Sequence, residues 1–336
     1  MSIDYQTYDL GDFELQSGEV LRDARLAYKS YGQLNPAKDN VVLLPTFYTG
    51  NHVRNEGFFG KGRAIDTQRH FVVSINMFGN GLSSSPSNTP APNNAAAFPD
   101  ISLFDNVKAQ HQPLTTILGV EHIALVAGWS MAGCQAFQWA AQYPGMVSSI
   151  LPFCASAKTA EHNIVFLEGV KAALQADAVY DGGNYQTPPI KGLRAFARVY
   201  AGWAFSQSFY REKMYRLKGF DSAEELLQDW ERDHLDWDAN DLLCKLWSWQ
   251  QGDISRQSPY QGDFKSALTA IEARAIIIAC DNDLYFRPED NAFEVEHIKN
   301  GELRIYLSPC GHCVASPRND PEFERYLDRA IKELLE

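Results

Sequence analysis

The stretch HIALVAGWSMAGCQAFQWAAQYP, residues 122–144, constrains the fold of this chain more than any other. His122–Ala127 is short and aliphatic, the signature of a buried strand. Met131–Tyr143 reads as a helix, with Ala132, Ala136, Trp139, Ala140 and Tyr143 at spacings of three or four and Pro144–Gly145 to stop it. A strand that turns at once into a helix through Gly128-Trp129-Ser130 forces the serine onto a strained corner, with its hydroxyl clear of the sheet. Two residues after the serine, where glycine is usual, stands Ala132, followed by Gly133; a methyl is the smallest side chain that could replace the glycine, so the turn stays reachable. The competing reading is that these glycines only allow a helix to pack closely on a sheet and that Ser130 is a helix cap. The rest of the chain must decide.

Other short apolar runs, VVLLP (41–45), FVVSIN (71–76), IALVA (123–127), SSILPF (148–153), AIIIAC (275–280) and LRIYL (303–307), are candidate strands. Continuous runs rather than alternation imply strands covered on both faces, hence a mostly parallel sheet flanked by helices in an α/β protein. The first 40 residues read as an added antiparallel hairpin turning at Ser17-Gly18. Between residues 160 and 265 the strand pattern gives way to helical segments rich in aromatics, with no linker or repeat to mark an independent domain. The chain therefore divides into a first core part (1–159), an inserted helical lid (160–265) and a second core part (266–336). Trp230, Trp237, Trp247 and Trp249 in the lid are read as packing aromatics. Such a lid would cover the carboxyl edge of the sheet, towards which the serine corner points.

A net charge of −12 over 336 residues argues against nucleic acid as a partner, because phosphate binding needs a basic surface. The N-terminus has no basic start followed by an apolar run, and the longest aliphatic stretch, AIIIA at 275–279, is far too short to span a membrane. A cytoplasmic protein without membrane association is expected. The six cysteines lie in or beside apolar segments, as buried thiols do. Cys310 and Cys313 bracket His312 in PCGHC, but neither the helix-opening context of a redox pair nor the second pair needed by zinc is present, so no metal is expected.

An activated serine needs a base to take its proton and a carboxylate to orient that base. In this architecture they follow in the order serine, acid, histidine, each after a late strand. AIIIAC leads into Asp281-Asn282-Asp283, and LRIYLSPCG leads into His312, the histidine that follows the last strand. His52 and His111 fall in expected loops, while His122, His162, His234 and His297 fall where surface or core duties suffice. Spacing alone leaves Asp281 and Asp283 in competition.

Along nearly its whole length the chain resembles the homoserine O-acetyltransferase family of α/β-hydrolases. The similar segments include LQSGEVLRDARLAYKSYGQLN, GKGRAIDTQRHFVVSINMFGNGLSSSPSN, FLEGVKAALQADAVYDGGNY and DNDLYFRPED. The resemblance implies an α/β-hydrolase fold, Asp283 as the acid and Ser130 as the nucleophile that takes an acyl group from an acyl-CoA co-substrate, with no bound cofactor. It also implies a backbone oxyanion hole at Met131 and, ahead of the family's Thr-Gly pair, Tyr48, with Phe47 as near competitor. Related enzymes pair through their lid helices, which implies a homodimer.

The departures bear on the acceptor. The family elbow Gly-Gly-Ser-Met-Gly-Gly is here Gly-Trp-Ser-Met-Ala-Gly, which brings Trp129 to the substrate side. A lid arginine that holds the homoserine carboxylate corresponds to Lys171, which keeps charge without the bidentate fork. The aspartate that faces the acceptor's amino group corresponds to Cys313. The expectation is therefore a small-molecule O-acyltransferase whose hydroxyl acceptor is not homoserine, with a hydrolase as the alternative and a non-catalytic binding protein as a distant third.

Overall fold

The computed structural model describes residues 4–336. Its sheet has eight strands in the order β1-β2-β4-β3-β5-β6-β7-β8. The hairpin of β1 (Gln6–Glu14) and β2 (Val20–Tyr31) joins antiparallel to β4 (Phe71–Ile75). From there β3 (Val41–Pro45), β5 (Leu125–Trp129), β6 (Ser149–Phe153), β7 (Arg274–Cys280) and β8 (Gly301–Tyr306) run parallel.

Every residue of β3, β4, β5 and β6 is buried, which is why these strands read as unbroken apolar runs. Alternate side chains enter opposite cores. Val41, Leu43, Val126 and Ile150 face one side, with Phe137 and Trp139 of the helix after β5. Val42, Leu44, Leu125 and Leu151 face the other, with Phe323, Leu327 and Ile331 of the C-terminal helix.

The helices in chain order are α1 (His52–Asn55), α2 (Leu103–Thr116), α3 (Met131–Gln142), α4 (Glu161–Gln175), α5 (Ile190–Ala204), α6 (Gln207–Arg211), α7 (Ala223–Leu235), α8 (Ala239–Gln250), α9 (Phe264–Thr269), α10 (Pro288–His297) and α11 (Pro321–Leu335). Helices α4 to α8 form the lid, inserted between the neighbouring strands β6 and β7. Its neck is closed by a bridge between Lys158 and Asp253 and by Thr159 N–H donating to Gly252 O at 2.8 Å. Residues 254–265, grouped with the lid by sequence, lie beyond that neck: Ile254, Tyr260 and Phe264 pack into the core of the sheet.

The lid has its own apolar cluster. Phe166, Phe196, Tyr200 and Trp249 gather around Tyr48 of the loop after β3 and Tyr285 of the loop after β7. Trp230 and Trp237 pack against the same cluster, so the lid's aromatics turn largely inward. His111, expected in a loop, lies within α2 and stacks on Tyr143 at 4.1 Å. No helix among the described residues is long and apolar enough to cross a membrane.

Candidate active site

β5 runs two residues further than its aliphatic run, pairing Gly128 with Pro152 and Trp129 with Phe153 of β6. Ser130 then takes φ 58° and ψ −130°, and α3 begins at Met131. A serine at positive φ is strained, and the surroundings hold it there. Its N–H donates to Phe153 O at 3.0 Å, while its carbonyl accepts from Gly133 N at 2.8 Å and Cys134 N at 3.0 Å. Gly133 is required by close approach, since a Cβ there would lie 2.5 Å from the Ala155 Cβ.

Asp283 sits fully buried in the turn after β7. Its Oδ1 accepts from Tyr285 N at 2.8 Å and Phe286 N at 3.2 Å, and its Oδ2 lies 2.8 Å from His312 Nδ1. This fixes the imidazole with Nδ1–H towards the carboxylate and leaves Nε2 free. His312 lies in a short 3-10 turn after β8, reached through Gly311 at φ 63°, where a Cβ would stand 2.9 Å from Ser206 N. Trp129 stacks on the ring at 5.1 Å and Tyr285 packs at 4.6 Å. Asp281, the competing acid, is engaged elsewhere: its Oδ1 accepts from Ser308 N and its Oδ2 from Asn282 Nδ2, each at 2.9 Å.

Ser130 and His312 line one cavity of about 240 Å³ and are not hydrogen-bonded to each other in this structure. Serine–histidine contacts often tighten only when substrate is bound. Cys154, at φ 47° after β6, brings its thiol to the same place. Ligand atoms of Cys154, Asp283 and His312 lie within 4.8 Å of one another, a grouping able to hold a metal ion in principle. Because the acid and the histidine already satisfy each other, we read it as a hydrogen-bonded pair with a neutral thiol, which burial pushes well above the usual cysteine range.

Met131 N–H opens α3 and has no carbonyl one turn back to bond. Across the cavity, Phe47 and Tyr48 both line it, and neither backbone N–H has a partner among the described residues, so both remain candidates for the second oxyanion donor. Sequence reasoning missed what ties these segments together. Gln135 of α3 donates through Nε2 to Thr46 O at 2.9 Å and to Met131 O at 3.1 Å, fixing the loop after β3 against the elbow. A glutamine in a small-residue helix was the available signal.

Trp129 and Cys313 line this cavity as the resemblance implies. Burial pushes the Cys313 thiol up to about 12, so it stands neutral. Lys171 is elsewhere: it lines a separate hollow with Asp100, Gln175 and Gln250, and its Nζ lies 3.4 Å from Glu168. Its expected place beside the serine is not where the helix puts it. The cavity instead acquires Arg54, Lys218, Asp229, Asp233 and His234, none of them singled out by sequence. Arg54 lies over the Phe47 ring at 5.1 Å and donates to Thr49 O at 3.0 Å.

The serine corner, the buried acid–histidine pair and the lid over a mostly parallel sheet define an α/β-hydrolase, and residues 39–316 match the family model described as alpha/beta hydrolase fold, so the chain belongs to that family. Within it, the chain is a homoserine O-acetyltransferase-like member, a group that also includes esterases. It is 32% identical over 335 residues to an ethyl acetate hydrolase of Pseudomonas veronii, covering 98% of this chain and 95% of that one. It is 30% identical over 315 residues to a homoserine O-acetyltransferase of Trichormus variabilis, covering 89% and 86%. The crystal structure of an acetylester hydrolase from Corynebacterium glutamicum superposes with a TM-score of 0.95 at 32% identity, covering 99% of this chain and 96% of that one. The protein is an enzyme of this superfamily.

Proposed function

We propose that the protein is a serine esterase that cleaves small esters with short acyl groups, using Ser130, His312 and Asp283. Ser130 Oγ passes its proton to His312 Nε2 and attacks the ester carbonyl, while Asp283 holds Nδ1–H and stabilises the imidazolium. The negative oxygen of the tetrahedral intermediate is held by Met131 N–H and the N–H of Tyr48 or Phe47, each such donor worth roughly 3–4 kcal/mol. The alkoxide leaves with the proton from His312. Water then gives its proton to His312 and attacks the acyl-serine, releasing the acid and restoring the hydroxyl.

The observation that favours water over an amino-acid acceptor is the neutral Cys313 thiol in the cavity wall, with Lys171 outside it. An ammonium group at that position would meet a thiol instead of the carboxylate that the resemblance places there, so its pairing would fall to Asp229 and Asp233 elsewhere in the wall. The likeness to the ethyl acetate hydrolase and the acetylester hydrolase supports the same reading. A cavity of about 240 Å³ suits a small ester.

The second reading is acyl transfer from acyl-CoA to an uncharged alcohol, supported by the 30% identity to a homoserine O-acetyltransferase. Rates with ethyl acetate and with acetyl-CoA, each measured with and without added alcohols and homoserine, separate the two. Release of free acetate regardless of alcohol is expected. Saturable transfer to homoserine at low millimolar concentration would overturn the proposal, and Cys313→Asp is expected to move the balance towards it.

A further inference from the structure

His234 stands in the lid with an unused hydrogen-bonding capacity. It lies near the end of α7, is 1% exposed, and lines the cavity that holds Ser130 and His312. Its Nδ1 is 2.9 Å from the Trp230 carbonyl one turn back. A carbonyl oxygen only accepts, so Nδ1 carries the hydrogen and Nε2 is a bare lone pair. That Nε2 is buried and has no partner among the described residues. Buried acceptors are rarely left unsatisfied, and an orphan in the wall of a substrate cavity is where a ligand donor belongs.

The neighbours restrict which donor fits. The ring stacks on Trp230 at 5.6 Å and packs against Phe196 at 5.6 Å and Tyr200 at 5.7 Å, so it cannot swing away. Tyr200 in turn stacks on Tyr285, which packs against His312, so His234 faces the part of a substrate remote from the scissile bond. Burial favours the neutral imidazole, against the opposing charge of Asp233 and the bond to the Trp230 carbonyl, with smaller contributions in the same sense as burial from Lys245 of α8 and Arg54 of α1. The carboxylate of Asp233, 3.6 Å away, lies against Nδ1 rather than Nε2. A neutral acceptor walled by Trp230, Phe196 and Tyr200 fits an uncharged hydroxyl, which brings no charge into the enclosed site.

Resting on the esterase reading, we propose that His234 Nε2 receives a hydroxyl group of the substrate, so that the preferred substrate is a small ester bearing a free hydroxyl away from its carbonyl. A site built to accept a hydroxyl discriminates strongly against an analogue that lacks one, because its own polar group is then left unpaired.

The test compares isosteric pairs: hydroxypropyl acetate against butyl acetate for a hydroxyl on the alcohol side, and terminally hydroxylated ethyl butanoate against ethyl pentanoate for the acyl side. The unmodified enzyme is expected to favour the hydroxylated member of one pair by about tenfold or more in kcat/KM. In His234→Phe, which keeps an aromatic ring but no lone pair, the ratio should fall to about one, and in His234→Gln, which keeps an acceptor, part of it should return. His234→Met serves if the phenylalanine variant does not fold. A ratio near one in both pairs for the unmodified enzyme, or an unchanged ratio in His234→Phe, overturns the proposal. Failure to cleave any of the four esters would overturn the esterase reading instead. Thermal-shift titrations with butanediol and butanol make the same comparison without turnover: equal shifts by the two alcohols count against a hydroxyl receptor.

Discussion

Gly128 and Ala132 share one small space at the serine corner: a Cβ on Gly128 would come within 2.4 Å of the Ala132 Cβ and within 2.6 Å of the Ala132 carbonyl carbon. The methyl that stands where the family has glycine is thus accommodated because the residue two positions before the serine has none. Gly128→Ala is expected to displace the start of α3, cost about 1–3 kcal/mol of stability and remove most activity. Adding Ala132→Gly should recover only part of both, because the clash with the backbone persists. Full recovery in a double-mutant cycle would show the contact to be purely between side chains.

Ser130→Ala is expected to leave only the residual catalysis of the oxyanion hole and the binding site, a loss of several orders of magnitude. Intact-protein mass after brief exposure to a p-nitrophenyl ester should show an acyl adduct on the unmodified chain and none on the variant. An adduct that persists would move the nucleophile to another residue.

Asp283→Asn should lower kcat by roughly 10⁴ by spoiling the tautomer and charge balance of His312. Asp281→Asn, whose carboxylate serves only the β7–β8 loops, should lose little rate and instead lower the melting temperature. Matching losses in kcat for the two variants would argue against the assignment drawn from the 2.8 Å contact.

Lys245 of α8 supplies a test by pH. It is fully buried, its Nζ has no hydrogen-bond partner among the described residues, and it sits 3.7 Å from the centroid of Trp237, where burial brings its pKa down to about 7. An unfolded lysine titrates near 10.4, so between about pH 7 and 10 the unfolded chain binds a proton that the folded one does not, and stability should rise with pH across that window. Below it the penalty for the buried charge is fully present. Lys245→Met should flatten the slope and stabilise the protein at pH 7 by about 1–4 kcal/mol, while Asp241 keeps its bonds from Ser87. Denaturant unfolding at pH 7 and 9.5 checks both, and a destabilised variant would mean that the attraction of Lys245 to Asp241 and the Trp237 ring outweighs its desolvation.

The order of strand, corner and helix was legible because β5 and α3 carry different hydrophobic periods around one serine. The end of β5 was not, since Gly128 and Trp129 look like turn residues while their backbone still pairs with β6. Asp283 and His312 were legible as residues that follow late strands, although choosing between the two acids rested on the resemblance. Lys171 was misplaced because alignment fixes a position along a helix but not the direction its side chain takes. The buried face of α4 runs through Phe166, Leu167, Val170 and Leu174, and Lys171 lies just past its edge, roughly 40° beyond Leu167. His234 was assigned only surface or core duties for a related reason: its place in the cavity wall depends on α7 lying across it, which no local pattern in the sequence encodes.

The phenol of Tyr48 donates to Leu242 O of α8 at 2.9 Å, while the backbone of the same residue stands at the mouth of the proposed oxyanion hole. One residue thus anchors the lid and belongs to the catalytic floor, so a displacement of α8 is transmitted to the spot where charge would develop on the substrate. The lid is then not an exchangeable module. Grafting a relative's helices onto this core to change specificity would perturb catalysis itself unless the graft reproduces the carbonyl on which Tyr48 hangs.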